Sequence, residues 1–202
     1  MTQLLVYYAH PGHKYSNANR QMAAAAQSVA GINFVDLYAE YPRFDINIDR
    51  EQQRLLEHDV MLFQFPMFWY STPSLVKEWI DLVLEHGFAY GAGGDKLTGK
   101  RMLLAVTAAG DQEAYTQQGY QQYPIRTFLT PLEQTATLCH MEFSAPYVLY
   151  GSLRAEQRGE LQQHVTGYRI LLEAIRDDRY DFDRAAHGEV VRCDDLPLIG
   201  DG

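Results

Sequence analysis

Cysteine is scarce in this chain: Cys139 and Cys193 are the only two in 202 residues, and they lie far apart. A disulfide framework is therefore excluded as the basis of the fold, and a reducing cytoplasm is the expected compartment. Positive charge is also short, with 17 Lys and Arg against 26 Asp and Glu and a formal net charge of −9. No basic stripe is available to displace phosphate counterions, so no nucleic-acid partner is expected. A cofactor phosphate needs only local donors and stays open. No apolar run reaches the roughly 18 residues of a spanning helix. The opening MTQLLVYYAH has no basic leader and reads as a strand of the mature fold. Neither G-x-G-x-x-G nor G-x-x-x-x-G-K-[ST] occurs, and there is no G-x-S-x-G elbow. His10, His13, His58, His86, His140, His164 and His187 show no metal-ligand spacing, so no metal is assigned.

What is present is a succession of short apolar runs. Leu4 to Ala9, Ile32 to Asp36, Val60 to Phe65, Met102 to Thr107 and a broken stretch from Phe143 to Tyr150 read as strands. Helical patterns fall between them: Ala18 to Val29, Arg50 to Glu57, the run after Pro73 with Leu75, Trp79, Leu82 and Val83 in register, Ile125 to Cys139, and Arg154 to Ile175. Such alternation predicts an α/β domain with a five-stranded parallel sheet in right-handed units, order 2-1-3-4-5. One domain over residues 1–176 is expected, followed by an acidic extension, 177–202, that is either mobile or wrapped around it.

In this topology the loops after Ala9, Phe65 and Thr107 share one rim, where open α/β sheets bind ligands. The first holds His10, Ser16, Asn17 and Asn19 at the start of a helix; Ser16 or Asn17 serves there as an ordinary cap, or the loop seats a phosphate. The second, Pro66-Met67-Phe68-Trp69-Tyr70, is an aromatic break after a buried strand. Three consecutive aromatics cannot all enter one core, so some face a groove or a partner. The third is Thr107-Ala108-Ala109-Gly110-Asp111, whose small residues permit close backbone approach and whose Gly110 can turn left-handed. Tyr115 is either a hydrogen-bond donor to a ligand or a packing residue. Residues 108 to 123 are longer than a simple βα turn and read as an active-site loop.

Taken together, His10-Pro11 with Ser16-Asn17-Ala18-Asn19, Phe65 to Ser71 with Pro73 and Lys77-Glu78-Trp79, Gly87-Phe88-Ala89-Tyr90-Gly91 and Leu97-Thr98-Gly99-Lys100 resemble the flavodoxin-like NAD(P)H:quinone oxidoreductases. Among these the likeness is nearest to the bacterial ancillary proteins of glutathione-gated potassium efflux systems, and it covers roughly residues 3 to 175. It implies a flavodoxin-like three-layer sandwich, a homodimer, bound FMN (FAD being the alternative), NADPH or NADH as co-substrate, and a quinone or similar small electron acceptor. It also implies a cytoplasmic protein and, for the ancillary members, peripheral association with a potassium antiporter on the cytoplasmic face of the inner membrane. By the same resemblance His10 and Ser16 to Asn19, Ala18 included, correspond to flavin phosphate and ribityl contacts. Met67 to Tyr70 correspond to the isoalloxazine wall, with Pro66 beside them among the cofactor-binding residues, and Thr107, Ala108, Ala109, Gly110 and Asp111 to the facing rim. Tyr115 stands at the position of a catalytic tyrosine, and the Phe88–Tyr90 loop itself reads as the roof of a substrate pocket. Gln121 stands where mammalian-type enzymes have a catalytic histidine, and Ala108-Ala109 where Thr-Gly is usual; a glutamine cannot relay a proton as imidazole does. The competing expectations are a regulatory antiporter subunit, an azo- or nitro-compound reductase, and a one-electron carrier.

Overall fold

The computed structural model describes residues 1–12, 14 and 16–200; the loop residues His13 and Tyr15 lie outside the described residues, as do Asp201 and Gly202. Strand β1 (Leu4–Tyr8) is buried throughout, as is β3 (Val60–Pro66), because both lie in the middle of a sheet covered on its two faces. With β2 (Asn33–Asp36) and β4 (Arg101–Thr107) they form a parallel array in the order β2-β1-β3-β4. The expected fifth strand is two strands: β5 (Glu142–Phe143) pairs with the start of β4, and β6 (Tyr147–Leu149) pairs with its end. Pro146 explains the break, since it brings no N–H to the ladder, while Ala145 turns its own N–H to the Ala185 carbonyl. The sheet is thus the expected α/β sandwich, order 2-1-3-4-5, with a sixth strand added.

One face is covered by α2 (Leu37–Glu40), α3 (Ile48–Glu57), α4 (Ser74–Val83), α5 (Ile125–Phe128) and α6 (Thr130–Leu138), the other by α1 (Ala18–Ser28) and α7 (Glu160–Arg176). The Asp36 carboxylate caps α2, a single turn not expected from sequence. The buried stripe of α4 is Leu75, Val76, Trp79, Ile80 and Val83; Ile80 takes the inward place expected of Leu82. The helix expected over 125–139 divides at Leu129, because Pro131 lacks the N–H that would continue the ladder. Helix α7 starts at Glu160 rather than Arg154: Gly159 sits at φ 73°, and residues 152–158 form turns over the rim.

The segment from Asp177 to Gly200 wraps along the domain. It contains α8 (Phe182–Ala186), buries Tyr180, Ala185 and Val191, and adds a bridge beside β6 through the Val191 N–H and the Pro146 carbonyl (2.8 Å). No helix among the described residues is long and apolar enough to cross a membrane. Cys139 and Cys193 are free thiols.

Candidate functional site

Because β1, β3 and β4 run parallel, their following loops emerge at one edge, and direct contacts join them in pairs. The His10 ring meets Phe68 edge-on with centroids 5.9 Å apart, linking the first and second loops. Asn19 Nδ2 donates to Thr107 Oγ1 at 2.7 Å, linking the first and third. The Met67 N–H donates to the Thr107 carbonyl at 2.9 Å, linking the second and third.

In the first loop Ser16 Oγ accepts from the Asn19 N–H at 3.2 Å, so Ser16 does act as a cap. The side chain of Asn17, at the formal N-cap position, makes no cap bond; it donates instead to Glu156 at 2.5 Å. Ala18 and Asn19 are buried, and Asn19 lies beneath the rim rather than on it.

The aromatic break is a tight hairpin. Phe68 and Ser71 exchange both backbone hydrogen bonds, leaving Trp69 (φ 49°) and Tyr70 (φ 65°) as the two central residues in the left-handed region. Such turns ordinarily take Asn-Gly. Two aromatic residues held there carry strain of about 1–2 kcal/mol each. Trp69 is 92% exposed, whereas Tyr70 stacks on Phe128 with centroids 5.1 Å apart. Tyr115 and Tyr123 meet the same Phe128 ring nearly edge-on, so the second loop and the long excursion converge on α5.

In the third loop the N–H groups of Ala109, Gly110 and Asp111 donate to no acceptor among the described residues. Gly110 is not left-handed, contrary to expectation. It is closely approached: a Cβ there would lie 2.9 Å from the hydroxyl of the exposed Tyr120 and 3.1 Å from the Tyr115 ring. Asp111 is clamped by Arg154 (2.6 Å) and Arg158 (2.7 Å), and the Arg158 hydrogen bond leads the effects that hold its carboxyl below the usual range. Burial, then the neighbouring Tyr120 and Tyr70, push the Tyr115 phenol up, so it is a protonated donor at neutral pH. Gln121 anchors the excursion through its N–H to the Ala114 carbonyl, at 3.1 Å.

An open depression of about 360 Å³ is lined by Ala109, Gly110, Asp111, Glu113, Ala114, Gly119, Tyr120 and Arg154. His10, Ser16 to Asn19 and Pro66 to Tyr70 do not line it, nor do Tyr115 and Gln121. Phe88 and Tyr90, expected to roof a pocket, are half-buried against the core beside α4. Sequence reasoning missed the fourth rim loop, which carries the Arg154, Glu156 and Arg158 contacts, because it was absorbed into the last helix. Gly159 was the available signal. It also missed Gln64, the one polar side chain in the otherwise apolar β3; it is fully buried and donates to the Asn19 carbonyl.

The rim suits a flavin nucleotide on its own terms. It offers consecutive free N–H donors, small residues where a Cβ would intrude, and a platform of aromatic rings. Comparison with known proteins agrees with this. The profile of the family described as Flavodoxin-like fold (Flavodoxin_2) matches residues 2–172. The glutathione-regulated potassium-efflux system ancillary protein KefG of Serratia proteamaculans (strain 568) is 43% identical over 166 residues, covering 82% of this chain and 90% of that protein. The general stress protein 14 of Treponema denticola, solved in complex with FMN, is 30% identical with a TM-score of 0.80, over 86% of this chain and 99% of that one. An NADPH-quinone reductase from P. pentosaceus is 26% identical with a TM-score of 0.72, over 83% and 95%. With the profile spanning all the described strands and all three rim loops, the chain belongs to the Flavodoxin-like fold family.

Proposed function

We propose that this protein is an FMN-dependent oxidoreductase that uses NADPH or NADH to reduce a quinone or similar small acceptor. The observation that carries the reading is the meeting of an aromatic, left-handed turn with a run of unused N–H donors on one rim. The identity of 30% to a chain solved with FMN supports the cofactor, and the likeness to an NADPH-quinone reductase supports the acceptor. FMN, when bound, supplies the hydride chemistry, accepting two electrons from the nicotinamide and releasing them to the acceptor.

The chain's own residues hold and shape that chemistry. Ala109, Gly110 and Asp111 present backbone donors to polar groups of the ring. His10, Ser16 and Asn17 stand at the start of α1, where free N–H groups and the helix dipole favour a phosphate. Met67, Phe68, Trp69 and Tyr70 supply the wall, with Pro66 ending β3 beneath them. Tyr115 keeps its proton at neutral pH and serves as a donor. Gln121 does not exchange a proton in that range, so the second proton of acceptor reduction comes from Tyr115 or solvent. Trp69 at 92% exposure and Tyr120 at 75% would be covered by a second copy, giving a homodimer.

Identification by mass of the cofactor released from freshly purified protein tests the binding claim; FMN is expected, and absence of any flavin overturns it. Anaerobic stopped-flow tests the chemistry: NADPH or NADH should bleach the bound flavin, and failure of both removes the nicotinamide assignment. A second reading rests on the 43% identity to KefG: a cytoplasmic protein that docks on a membrane potassium antiporter and activates it. It is favoured if a variant that binds FMN but is not reduced by NAD(P)H still activates a co-reconstituted antiporter.

A further inference from the structure

Gln64, Asn19 and Thr107 form one buried circuit below the rim, with exposures of 0%, 2% and 4%. Its links are all polar. The Gln64 backbone carbonyl accepts from the Ala9 N–H at 2.9 Å, at the root of the first loop. Gln64 Nε2 donates to the Asn19 carbonyl at 2.9 Å, and Asn19 Nδ2 donates to Thr107 Oγ1 at 2.7 Å. The Thr107 carbonyl accepts from the Met67 N–H, at the root of the aromatic turn. The loops after β1, β3 and β4 are therefore each tied to this circuit by a named atom.

The circuit is poor as a stability device. Once Gln64 donates its amide N–H to Asn19, its Oε1 is left buried with no hydrogen-bond partner. A buried acceptor without a donor is destabilising, and the same-face strand neighbours Leu62, Leu103 and Ala105 show that apolar side chains suit this layer. A cost kept where an apolar residue would avoid it points to a role other than stability. Asn19 Nδ2 also occupies a lone pair of Thr107 Oγ1, so the hydroxyl proton is directed elsewhere.

We propose that Gln64 and Asn19 are positioning residues that act through Thr107, setting the spacing of the three rim loops and thereby the affinity of the rim for the flavin nucleotide. This rests on the FMN reading above. Gln64 orients the first turn of α1, Asn19 transmits that orientation to the end of β4, and Thr107 fixes the start of the aromatic turn. The circuit closes a hydrogen-bonded path between elements that are far apart in sequence.

The test uses the full-length apoprotein, titrated with FMN, with unfolding midpoint and amide hydrogen exchange followed in parallel. Asn19→Ala and Thr107→Val should each weaken FMN binding about tenfold, equivalent to about 1.4 kcal/mol. The double variant should be no weaker than the weaker single one, whereas Thr107→Ser, which keeps the hydroxyl, should stay within about twofold of the parent. Gln64→Met should weaken FMN binding while holding or raising the unfolding midpoint, a pairing that a purely structural residue does not produce. In the apoprotein the Met67 amide should exchange faster in the Asn19 and Thr107 variants while the amides of β1 stay protected. Unchanged FMN affinity beside a lowered midpoint would overturn the proposal, as would additive penalties in the double variant. Asn19→Asp, which loses the donor at constant volume, replaces Asn19→Ala if the latter does not fold. Should the parent protein bind no FMN, the functional reading falls. The circuit is then judged by the Met67 amide alone: faster exchange upholds the coupling of the loops, and unchanged exchange refutes it.

Discussion

Two buried polar clusters lie on opposite faces of the same sheet, and they are built on different terms. Under α4, Glu51 is fully buried, yet it accepts from the Tyr7 hydroxyl (2.6 Å), the Tyr41 hydroxyl, the Trp79 indole N–H (3.0 Å) and Arg54. Its lone pairs are met, and its partners come from β1, α3, α4 and the segment after α2. Below the rim, the Gln64–Asn19–Thr107 circuit is left with an orphaned acceptor. The closed cluster locks a core, since a buried charge is tolerated only with such complete pairing. The open one is retained at the edge where a ligand is expected. Completeness of hydrogen bonding thus distinguishes these two clusters, one closed around Glu51 and one left open at Gln64.

The largest effect that would test this contrast is removal of Glu51. Glu51→Leu would strand two tyrosine hydroxyls, an indole N–H and a half-buried guanidinium, and should cost about 3–5 kcal/mol in urea unfolding. FMN affinity of the folded fraction should not change. A Glu51 variant that lost FMN affinity at full stability would reverse the roles assigned to the two clusters.

A smaller effect of opposite sign is expected at the rim. Replacing Trp69-Tyr70 by Asn-Gly relieves two positive-φ aromatic residues and should stabilise the protein by about 2 kcal/mol, measured by denaturant midpoint at unchanged slope. The same change should weaken FMN binding and self-association, the latter read by sedimentation. Gain of stability without loss of either property would break the link between strain and function.

A third effect, one of pH, concerns His164, which stacks on Tyr147 with centroids 4.3 Å apart. Burial pushes its pKa down to about 3, well below an unfolded value near 6.5. Between those values the unfolded chain binds the extra proton, so stability is full above pH about 6.5 and falls as pH drops toward 3, by at most about 1.4 kcal/mol per pH unit. His164→Phe should flatten the melting temperature between pH 7 and 5. An unchanged slope would place the acid sensitivity elsewhere.

Much of this was legible in the residues. The apolar runs of β1, β3 and β4 are continuous because both faces of the sheet are covered, and the breaks after Ala9, Pro66 and Thr107 mark the rim. The aromatic break was visible as an anomaly, but its geometry was not. Nothing local shows that Trp69 and Tyr70 would both take positive φ while Tyr70 turns to a ring on α5. The fourth rim loop was hidden because Arg154 to Arg158 carries helix-forming residues. In the fold they form turns closed by Gly159, and Arg154 and Arg158 pair with Asp111, more than 40 residues away.

Sequence by itself determined the alternation of elements, the parallel sheet and the edge at which the loops after β1, β3 and β4 gather. Those follow from hydrophobic periodicity and the handedness of crossovers, which act over a few residues to a few tens. Tertiary structure alone decided that Gln64 reaches Asn19 across 45 positions and Asn19 reaches Thr107 across 88, that the acidic extension wraps along the domain, and that Gly110 lies against Tyr115 and Tyr120 without a left-handed turn. Such pairings leave no periodic trace, because a hydrogen bond between distant residues depends on where the packed layers bring their side chains together.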